Sequence, residues 1–260
     1  KILFSDNSLH TYQLNYLLDQ LKNKNIEKIK KTYWNKKTIK IKKFDFNKYN
    51  ESMLRKILQS VESFGFAYLK NIPTTKNGIN SFANLIGPIK RTNWGDIADI
   101  KSIKNAYDLT MTARTLENHT DNPYRFPTQG YIFLHCLKNA EIGGENSLVD
   151  GFNAAMNIMK KDKKTFDRLS NYKTFFRYKD KDTCLEHACS LIELDDRKRI
   201  VQVRYNNRTE IMPYASLSEI KSYINARKIF WKEICKNENN LTIKQKPGDM
   251  IIIDNYRIFH

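Results

Sequence analysis

Apolar residues in the first third of the chain recur mainly at helical spacing. Leucines three or four residues apart predict a short helix over 14–21 that packs through its apolar face. A second apolar stripe predicts a helix over 53–64, which Gly65 ends. The apolar run 66–69 predicts a strand, and the spacing over 82–86 predicts a third helix.

Strand signals dominate from Gln129 onward, in short runs rich in branched and aromatic residues. These runs cover 131–137, 147–149, 173–178, 200–205 and 250–253. Helical spacing predicts two further helices, over about 152–169 and 217–236. Regular βαβ alternation, a G-x-G-x-x-G sequence and a P-loop are all missing, which argues against a Rossmann sheet. The pattern therefore favours a mainly β fold with flanking helices, a sandwich or a double-stranded β-helix (jelly roll).

Composition excludes several classes of protein. The chain has 260 residues, of which 40% are hydrophobic and 12% aromatic, and this is too apolar for a disordered protein. No apolar run approaches the ~18 residues of a membrane-spanning helix, so we expect no membrane partner. Four cysteines without a C-x-x-C pair are too few for a disulfide scaffold, and they favour a reducing cytoplasm.

The formal net charge of +17 raises the question of a nucleic-acid partner. The stretch 22–43 holds ten lysines and one acid, Glu27. Lysine, asparagine and isoleucine are abundant along the whole chain, as a drift towards AT-rich codons would produce. We therefore expect no specific nucleic acid and interpret 22–43 as a solvated connector or an exposed hairpin. A basic nucleic-acid-binding module stays open as an alternative.

One short motif predicts a metal site. His119 and Asp121 lie two residues apart, so an extended chain turns an imidazole and a carboxylate to the same side. In a jelly roll a second histidine would come from a distant strand beside the first, and His260 directly follows the strand-like run at the end of the chain. Two histidines and one carboxylate form a facial triad that typically holds non-haem Fe(II) for oxygen chemistry.

Several segments together resemble one enzyme family. Their order and spacing are similar to those of the γ-butyrobetaine and trimethyllysine hydroxylase branch of the TauD-type Fe(II)/2-oxoglutarate dioxygenases. The segments are His119-Thr-Asp-Asn-Pro-Tyr, Tyr131-Ile-Phe-Leu-His-Cys, Gly143-Gly-Glu-Asn-Ser-Leu-Val-Asp-Gly-Phe, Arg204-Tyr-Asn-Asn-Arg and Pro247-Gly-Asp through Asp254-Asn-Tyr-Arg-Ile-Phe-His260. The resemblance runs from about Phe44 to the last residue.

The resemblance implies a jelly-roll enzyme that uses Fe(II), 2-oxoglutarate as cosubstrate and O₂. It implies that His119, Asp121 and His260 bind the iron. Asn146 matches a position where relatives place a hydroxyl near the cosubstrate carboxylate, against the alternative of a turn residue. Asn206 matches an asparagine that touches substrate, against the alternative of a hydrogen bond at a strand end.

The substrate implied by the resemblance is a small polar, ammonium-bearing metabolite, similar to a betaine or an amino acid. Trp94 and Tyr107 are aromatic where the family builds a cage around a trimethylammonium group, and aromatic faces attract cations. Ala98 and Lys101 stand where further aromatics would complete that cage. We therefore expect a related amine-bearing acid to be preferred over γ-butyrobetaine. Relatives are often dimers, so the resemblance is compatible with a homodimer.

The resemblance also divides the chain. Residues 1–35 are interpreted as a remnant of a small N-terminal domain, without its zinc-binding cysteines, and a basic linker. Residues 36–260 are interpreted as the jelly-roll domain, truncated at its C-terminus. The family's arginine for 2-oxoglutarate would lie beyond His260, so a catalytically inactive fragment is the second alternative.

Three remaining features receive structural interpretations. We expect His135 to be a core residue whose polar atoms are satisfied. We expect Arg257 to anchor the turn at 254–256 through a salt bridge, with direct contact to the cosubstrate as the lesser alternative. Cys184, His187 and Cys189 offer three metal ligands without a fourth nearby, so we expect no metal there.

Overall fold

The computed structural model describes residues 1–3, 5–22, 29–93, 95–101, 116–212 and 215–260. Its strands are β1 (Ile2–Leu3), β2 (Leu9–His10), β3 (Lys43–Asp45), β4 (Phe66–Lys70), β5 (Tyr131–His135), β6 (Glu145–Asp150), β7 (Thr174–Lys179), β8 (Cys184–Cys189), β9 (Ile192–Leu194), β10 (Ile200–Val203), β11 (Glu210–Ile211), β12 (Leu241–Lys244), β13 (Met250–Asp254) and β14 (Ile258–Phe259). Its helices are α1 (Leu14–Lys22), α2 (Glu51–Phe64), α3 (Asn80–Ala83), α4 (Gly151–Lys161), α5 (Lys163–Asn171) and α6 (Leu217–Ile234), with one 3₁₀ turn at Phe46–Lys48.

The chain divides into two compact units, Lys1–Lys30 and Lys31–His260. In the first unit β1 and β2 pair antiparallel and precede α1. The predicted helix is therefore present. Of its leucines with described side chains, Leu14 and Leu18 are exposed, contrary to the expectation that they pack, and Leu17 is half-buried.

A four-stranded sheet in the order β3-β4-β13-β5 forms the centre of the second unit. One face of β4 and β13 carries Phe66, Tyr68, Ile251 and Ile253, which pack with Leu148 of β6 in one core cluster. The alternate residues of both strands face the other way. They form a second core cluster with α2, made of Ala67, Leu69, Met250, Ile252, Ile57 and Val61. Because both faces are buried, both strands are almost continuously apolar.

The sheet β12-β6-β14 provides the second layer, against which the first cluster packs. A third core cluster joins α4, α5 and α6 to β7, β9 and β10. None of the helices within the described ranges is long and apolar enough to cross a bilayer.

Helix α2 ends where the sequence predicts and begins at Glu51, two residues before the predicted start. Asn50 caps its N-terminus by accepting a hydrogen bond from the Met53 N–H at 2.9 Å. Gly65 ends it in the left-handed region at φ 81°, and a Cβ at that position would lie 2.7 Å from Cδ1 of Ile258. Only glycine fits both the conformation and the space.

Two predicted helices have different bounds in the structure. The single helix expected over 152–169 is two helices, α4 and α5, which Asp162 separates with a non-helical backbone at φ −151°, ψ 84°. The Asp162 carboxylate caps α5 by accepting from the Thr165 N–H at 3.0 Å. The helix expected over 82–86 is the short α3 followed by turns.

The basic stretch 22–43 is not wholly a solvated connector, and residues 23–28 of it lie outside the described residues. Trp34 is only 2% exposed. Its indole Nε1 donates to the Phe64 carbonyl at 2.7 Å, and its backbone N–H donates to the Asp150 carboxylate at 3.0 Å. This aromatic residue fixes residues 31–43 to the core, while the lysines among them are exposed apart from the half-buried Lys31.

Candidate metal centre

His119, Asp121 and His260 come together although 116–130 has no regular secondary structure. His260 follows β14, which pairs with β6. The His119 N–H donates to the His260 carbonyl at 2.9 Å, and the His260 N–H donates to the His119 carbonyl at 3.0 Å. This reciprocal pair places the two histidines directly opposite each other, as in an antiparallel ladder.

The donor atoms of the three side chains face one another. His119 Nε2 lies 3.2 Å from Asp121 Oδ1, and His260 Nε2 lies 3.7 Å from Asp121 Oδ2. One ligand atom from each residue lies within 4.8 Å of the other two. In the described part of the chain, this is the single group of three or more histidine, cysteine, aspartate or glutamate side chains that are close enough to hold one metal ion.

The hydrogen bond of the His119 ring suits metal ligation. His119 Nδ1 lies 2.8 Å from the Glu117 carbonyl, which only accepts, so Nδ1 carries the proton and the neutral ring keeps its lone pair on Nε2. His260 has a buried Nδ1 without a hydrogen-bond partner, and its Nε2 faces the carboxylate. Two imidazole nitrogens and one carboxylate are the donor set of a non-haem iron site.

The charge of Asp121 is stabilised at this point. Burial by itself raises the pKa of the carboxyl group, but hydrogen bonds and positive charge from His119 and His260 outweigh burial and lower the pKa below its ordinary range. The carboxylate is therefore ionised at neutral pH. As metal ligands both rings would be neutral. The single negative charge of Asp121 would then leave a divalent cation partly uncompensated, which suits a site that also binds an anionic cosubstrate.

Asn206 contacts the backbone between the two predicted ligands. The residue is 3% exposed, and its Nδ2 donates to the Thr120 carbonyl at 3.1 Å. Its Oδ1 accepts from the Arg208 N–H at 3.1 Å. The observed contacts are those of the alternative, a hydrogen bond at a strand end, and a substrate contact stays a prediction.

Asn146 lies on the inner face of β6. Val149 is opposite Phe259 in the ladder, so the same register places Leu148 opposite His260 and puts Asn146 on the same face as Leu148. Its Nδ2 donates to Gln245 Oε1 at 2.8 Å. Contact with a cosubstrate stays a prediction.

Trp94 and Tyr107, the predicted cage aromatics, lie outside the described residues. Ala98 and Lys101 are described, and both are exposed.

Arg257 forms a salt bridge as expected, but with a different partner from the one expected. Its side chain is fully buried and pairs with Asp150 rather than with the 254–256 turn, through Nε–Oδ1 and Nη2–Oδ2 bonds of 3.0 and 2.8 Å. Two further bonds reach the Ser63 and Thr32 carbonyls. Four of the five guanidinium N–H groups bond within the protein and the side chain is fully buried, which argues against contact with a cosubstrate.

The expectation that His135 is satisfied is wrong for one atom. Its Nε2 is buried without a hydrogen-bond partner, and burial lowers the pKa of the ring. On β8, Cys184 is exposed and Cys189 is buried, while the ring of His187 lies 5.1 Å from that of Phe126.

Comparisons with solved structures establish the fold. A putative alpha-ketoglutarate-dependent taurine dioxygenase from Burkholderia xenovorans has a TM-score of 0.64 at 12% identity, covering 88% of this chain and 83% of that protein. AAD-2, solved in complex with Mn(II) and N-oxalylglycine, has a TM-score of 0.59 at 14% identity, covering 88% and 90%. The predicted jelly roll is thereby confirmed.

Comparisons with sequences establish the family. Trimethyllysine dioxygenase of Rattus norvegicus is 29% identical over 224 residues, which cover 83% of this chain and 53% of the rat protein. Gamma-butyrobetaine dioxygenase of Homo sapiens is 27% identical over 237 residues, covering 88% and 60%. The chain thus spans little more than half the length of these relatives. The model of the family "Taurine catabolism dioxygenase TauD, TfdA" matches residues 25–260, and the chain belongs to this family.

Proposed function

We propose that this chain is the oxygenase domain of an Fe(II)- and 2-oxoglutarate-dependent enzyme that hydroxylates a small ammonium-bearing metabolite. The observation that carries the proposal is the convergence of His119, Asp121 and His260 in a chain of the TauD/TfdA family. The names of two relatives, trimethyllysine dioxygenase and gamma-butyrobetaine dioxygenase, support the substrate class.

Each of the three residues has a role that its surroundings support. His119 and His260 would hold Fe(II) through Nε2, and Asp121 through its carboxylate, which leaves about three coordination positions open. Those positions suit a cosubstrate that binds through two oxygens, and O₂. When bound, the iron supplies the oxidation chemistry, in which 2-oxoglutarate and O₂ yield succinate and CO₂ and a substrate C–H becomes C–OH.

Hydrogen bonds within the protein orient the residues of this site. The Glu117 carbonyl fixes the tautomer and orientation of His119. The Thr120 N–H donates to the Tyr205 carbonyl at 2.9 Å, so the backbone between the two ligands is held to the chain that follows β10. We propose that the remaining amide hydrogen of Asn146 donates to the cosubstrate carboxylate, because Asn146 shares a strand face with the residue opposite His260.

For the substrate, we propose that Trp94 and Tyr107 face the ammonium group and that Lys101 pairs with an anionic end of the same molecule. We propose that Asn206 contacts the substrate through the second N–H of its Nδ2, because the first N–H donates to the Thr120 carbonyl. A lysine beside the cage would repel the trimethylammonium group of γ-butyrobetaine. This arrangement therefore favours a different amine-bearing acid.

The decisive test is metal binding by wild-type protein and Asp121→Ala, with Mn(II) as the probe and electron paramagnetic resonance of free Mn(II) as the measurement. Loss of a hydrogen-bonding partner of a ligand already costs about 10–100-fold in metal affinity, so loss of the ligand should cost more than about 100-fold. Succinate formation from 2-oxoglutarate should also disappear in Asp121→Ala.

Asp195→Ala is the matched control, because Asp195 is also a partly exposed aspartate with a cationic partner, Arg199 at 2.6 Å. It should leave the affinity for Mn(II) unchanged. Equal affinity of Asp121→Ala and wild type would refute the site.

A further inference from the structure

Asn255 is a completely buried residue whose side chain forms hydrogen bonds with the backbone of Asp121. It is 0% exposed. Its Oδ1 accepts from the Asp121 N–H at 2.8 Å, and its Nδ2 donates to the Asp121 carbonyl at 3.0 Å. The same Nδ2 donates to the Gln129 carbonyl at 2.9 Å. The amide thus bonds to both polar backbone groups of one candidate metal ligand.

The location of Asp121 explains why these hydrogen bonds affect the orientation of its side chain. The segment 116–130 has no helix or strand, so no regular ladder fixes the peptide groups on either side of Asp121. The next residue, Asn122, has a left-handed backbone at φ 50°, so the chain changes direction immediately after the carboxylate. Without a local constraint, the Asp121 side chain would sample several directions.

Asn255 is itself held firmly. It lies between β13 and β14, and its backbone N–H donates to the Gly130 carbonyl at 2.7 Å. Five residues later the same short segment provides His260. One stretch of chain therefore carries one candidate ligand and sets the position of another, which couples the geometry of the two.

We propose that Asn255 is a positioning residue, which orients Asp121 towards the Nε2 atoms of His119 and His260. The inference rests on the proposed function, because it assumes that these three residues bind a metal. The side-chain amide replaces the peptide partner that a neighbouring strand would offer. Residues that orient metal ligands through hydrogen bonds typically contribute about 10–100-fold to metal affinity.

The test compares Asn255→Ala with Asn239→Ala. Asn239 is 3% exposed and its Nδ2 donates to the Glu233 carbonyl at 2.8 Å, so it is also a buried asparagine that holds backbone, but at the C-terminal end of α6. Both variants should lower the Tm of the metal-free protein. Only Asn255→Ala should raise the Kd for Mn(II), by about 10–100-fold.

A second measurement separates orientation from stability. The electronic absorption bands of bound Co(II), recorded at saturating metal, should shift in Asn255→Ala and stay unchanged in Asn239→Ala, because the bands report the ligand geometry. If Asn255→Ala does not fold, Asn255→Ser, which keeps one hydrogen-bonding oxygen, takes its place under the same criteria.

The outcomes distinguish this inference from the proposed function. If wild type binds Mn(II), Asp121→Ala does not, and the Asn255 variant binds within about threefold of wild type, Asn255 has no positioning role. Equal losses in the Asn255 and Asn239 variants would also overturn the inference, because they would show a general effect of stability. Failure of wild type to bind Mn(II) would refute the metal site and the inference together.

Discussion

Replacing Arg257 by methionine should strongly destabilise the fold. Arg257 and Asp150 are both fully buried and share two hydrogen bonds. Methionine preserves much of the apolar volume but removes the charge and all five donors. The Asp150 carboxylate would keep its hydrogen bonds from backbone N–H groups, at Trp34 and at the start of α4, but would lose its counter-charge.

The expected loss is about 3–5 kcal/mol, the usual cost when one partner of a buried ion pair is removed. The Ser63 and Thr32 carbonyls would lose a charged donor at the same time. The measurement is the free energy of unfolding from urea titration of the metal-free protein.

The matched control is Arg199→Met, which removes an exposed ion pair with Asp195 and should cost less than about 1 kcal/mol. A double-mutant cycle with Asp150→Asn then isolates the pair itself. A loss below about 1 kcal/mol in Arg257→Met would refute the reasoning, because it would mean that the guanidinium contributes no more than a surface charge.

Two more predictions concern α6 and the substrate. Burial raises the pKa of Glu233, but hydrogen bonds from Lys236 and Asn157 outweigh burial and lower the pKa. The ionised carboxylate therefore stabilises the fold at pH values above the ordinary glutamate pKa, and this stabilisation is lost as the pH falls through the lowered pKa. Glu233→Gln should therefore destabilise the protein at pH 7 and much less at about pH 2, well below the ordinary glutamate range, by urea titration at both values; an equal loss at both would contradict it. Trp94→Ala should raise the KM for the true substrate more than it raises the KM for 2-oxoglutarate. In a substrate panel measured by oxygen consumption, γ-butyrobetaine should be turned over slowly. Turnover of γ-butyrobetaine as fast as any other compound would show that the cage interpretation is wrong.

The sequence predicts elements best where a single physical signal dominates. Helix α2 has an apolar stripe and a terminal glycine, and both agree with the structure. Strands β4 and β13 are buried on both faces, so their apolar runs are unmistakable. Strand β8 was missed because two adjacent polar residues, Glu186 and His187, interrupt it. The break at Asp162 was missed because the apolar period continues across it.

The candidate site divides in the same way. The two residues of the H-x-D motif and His260 are recognisable because few residue types ligate iron, and motif order identifies them. Asn255 and Asp150 were missed as supporting residues, because their roles depend on contacts more than 100 positions away along the chain, which no local pattern encodes. The Asp254-Asn-Tyr-Arg segment was the one available signal, since polar residues next to a buried strand require buried partners.

The reciprocal backbone bonds between His119 and His260 join positions 141 residues apart (260 − 119). Closing a flexible loop of that length costs on the order of 4 kcal/mol in chain entropy, by the logarithmic dependence on loop length. A cation bound by both imidazoles would act as a reversible cross-link. It would resist separation of the two segments much as a disulfide would. Metal loading should therefore slow proteolytic cleavage at the carboxyl-terminal end of the chain, and chelation should restore it.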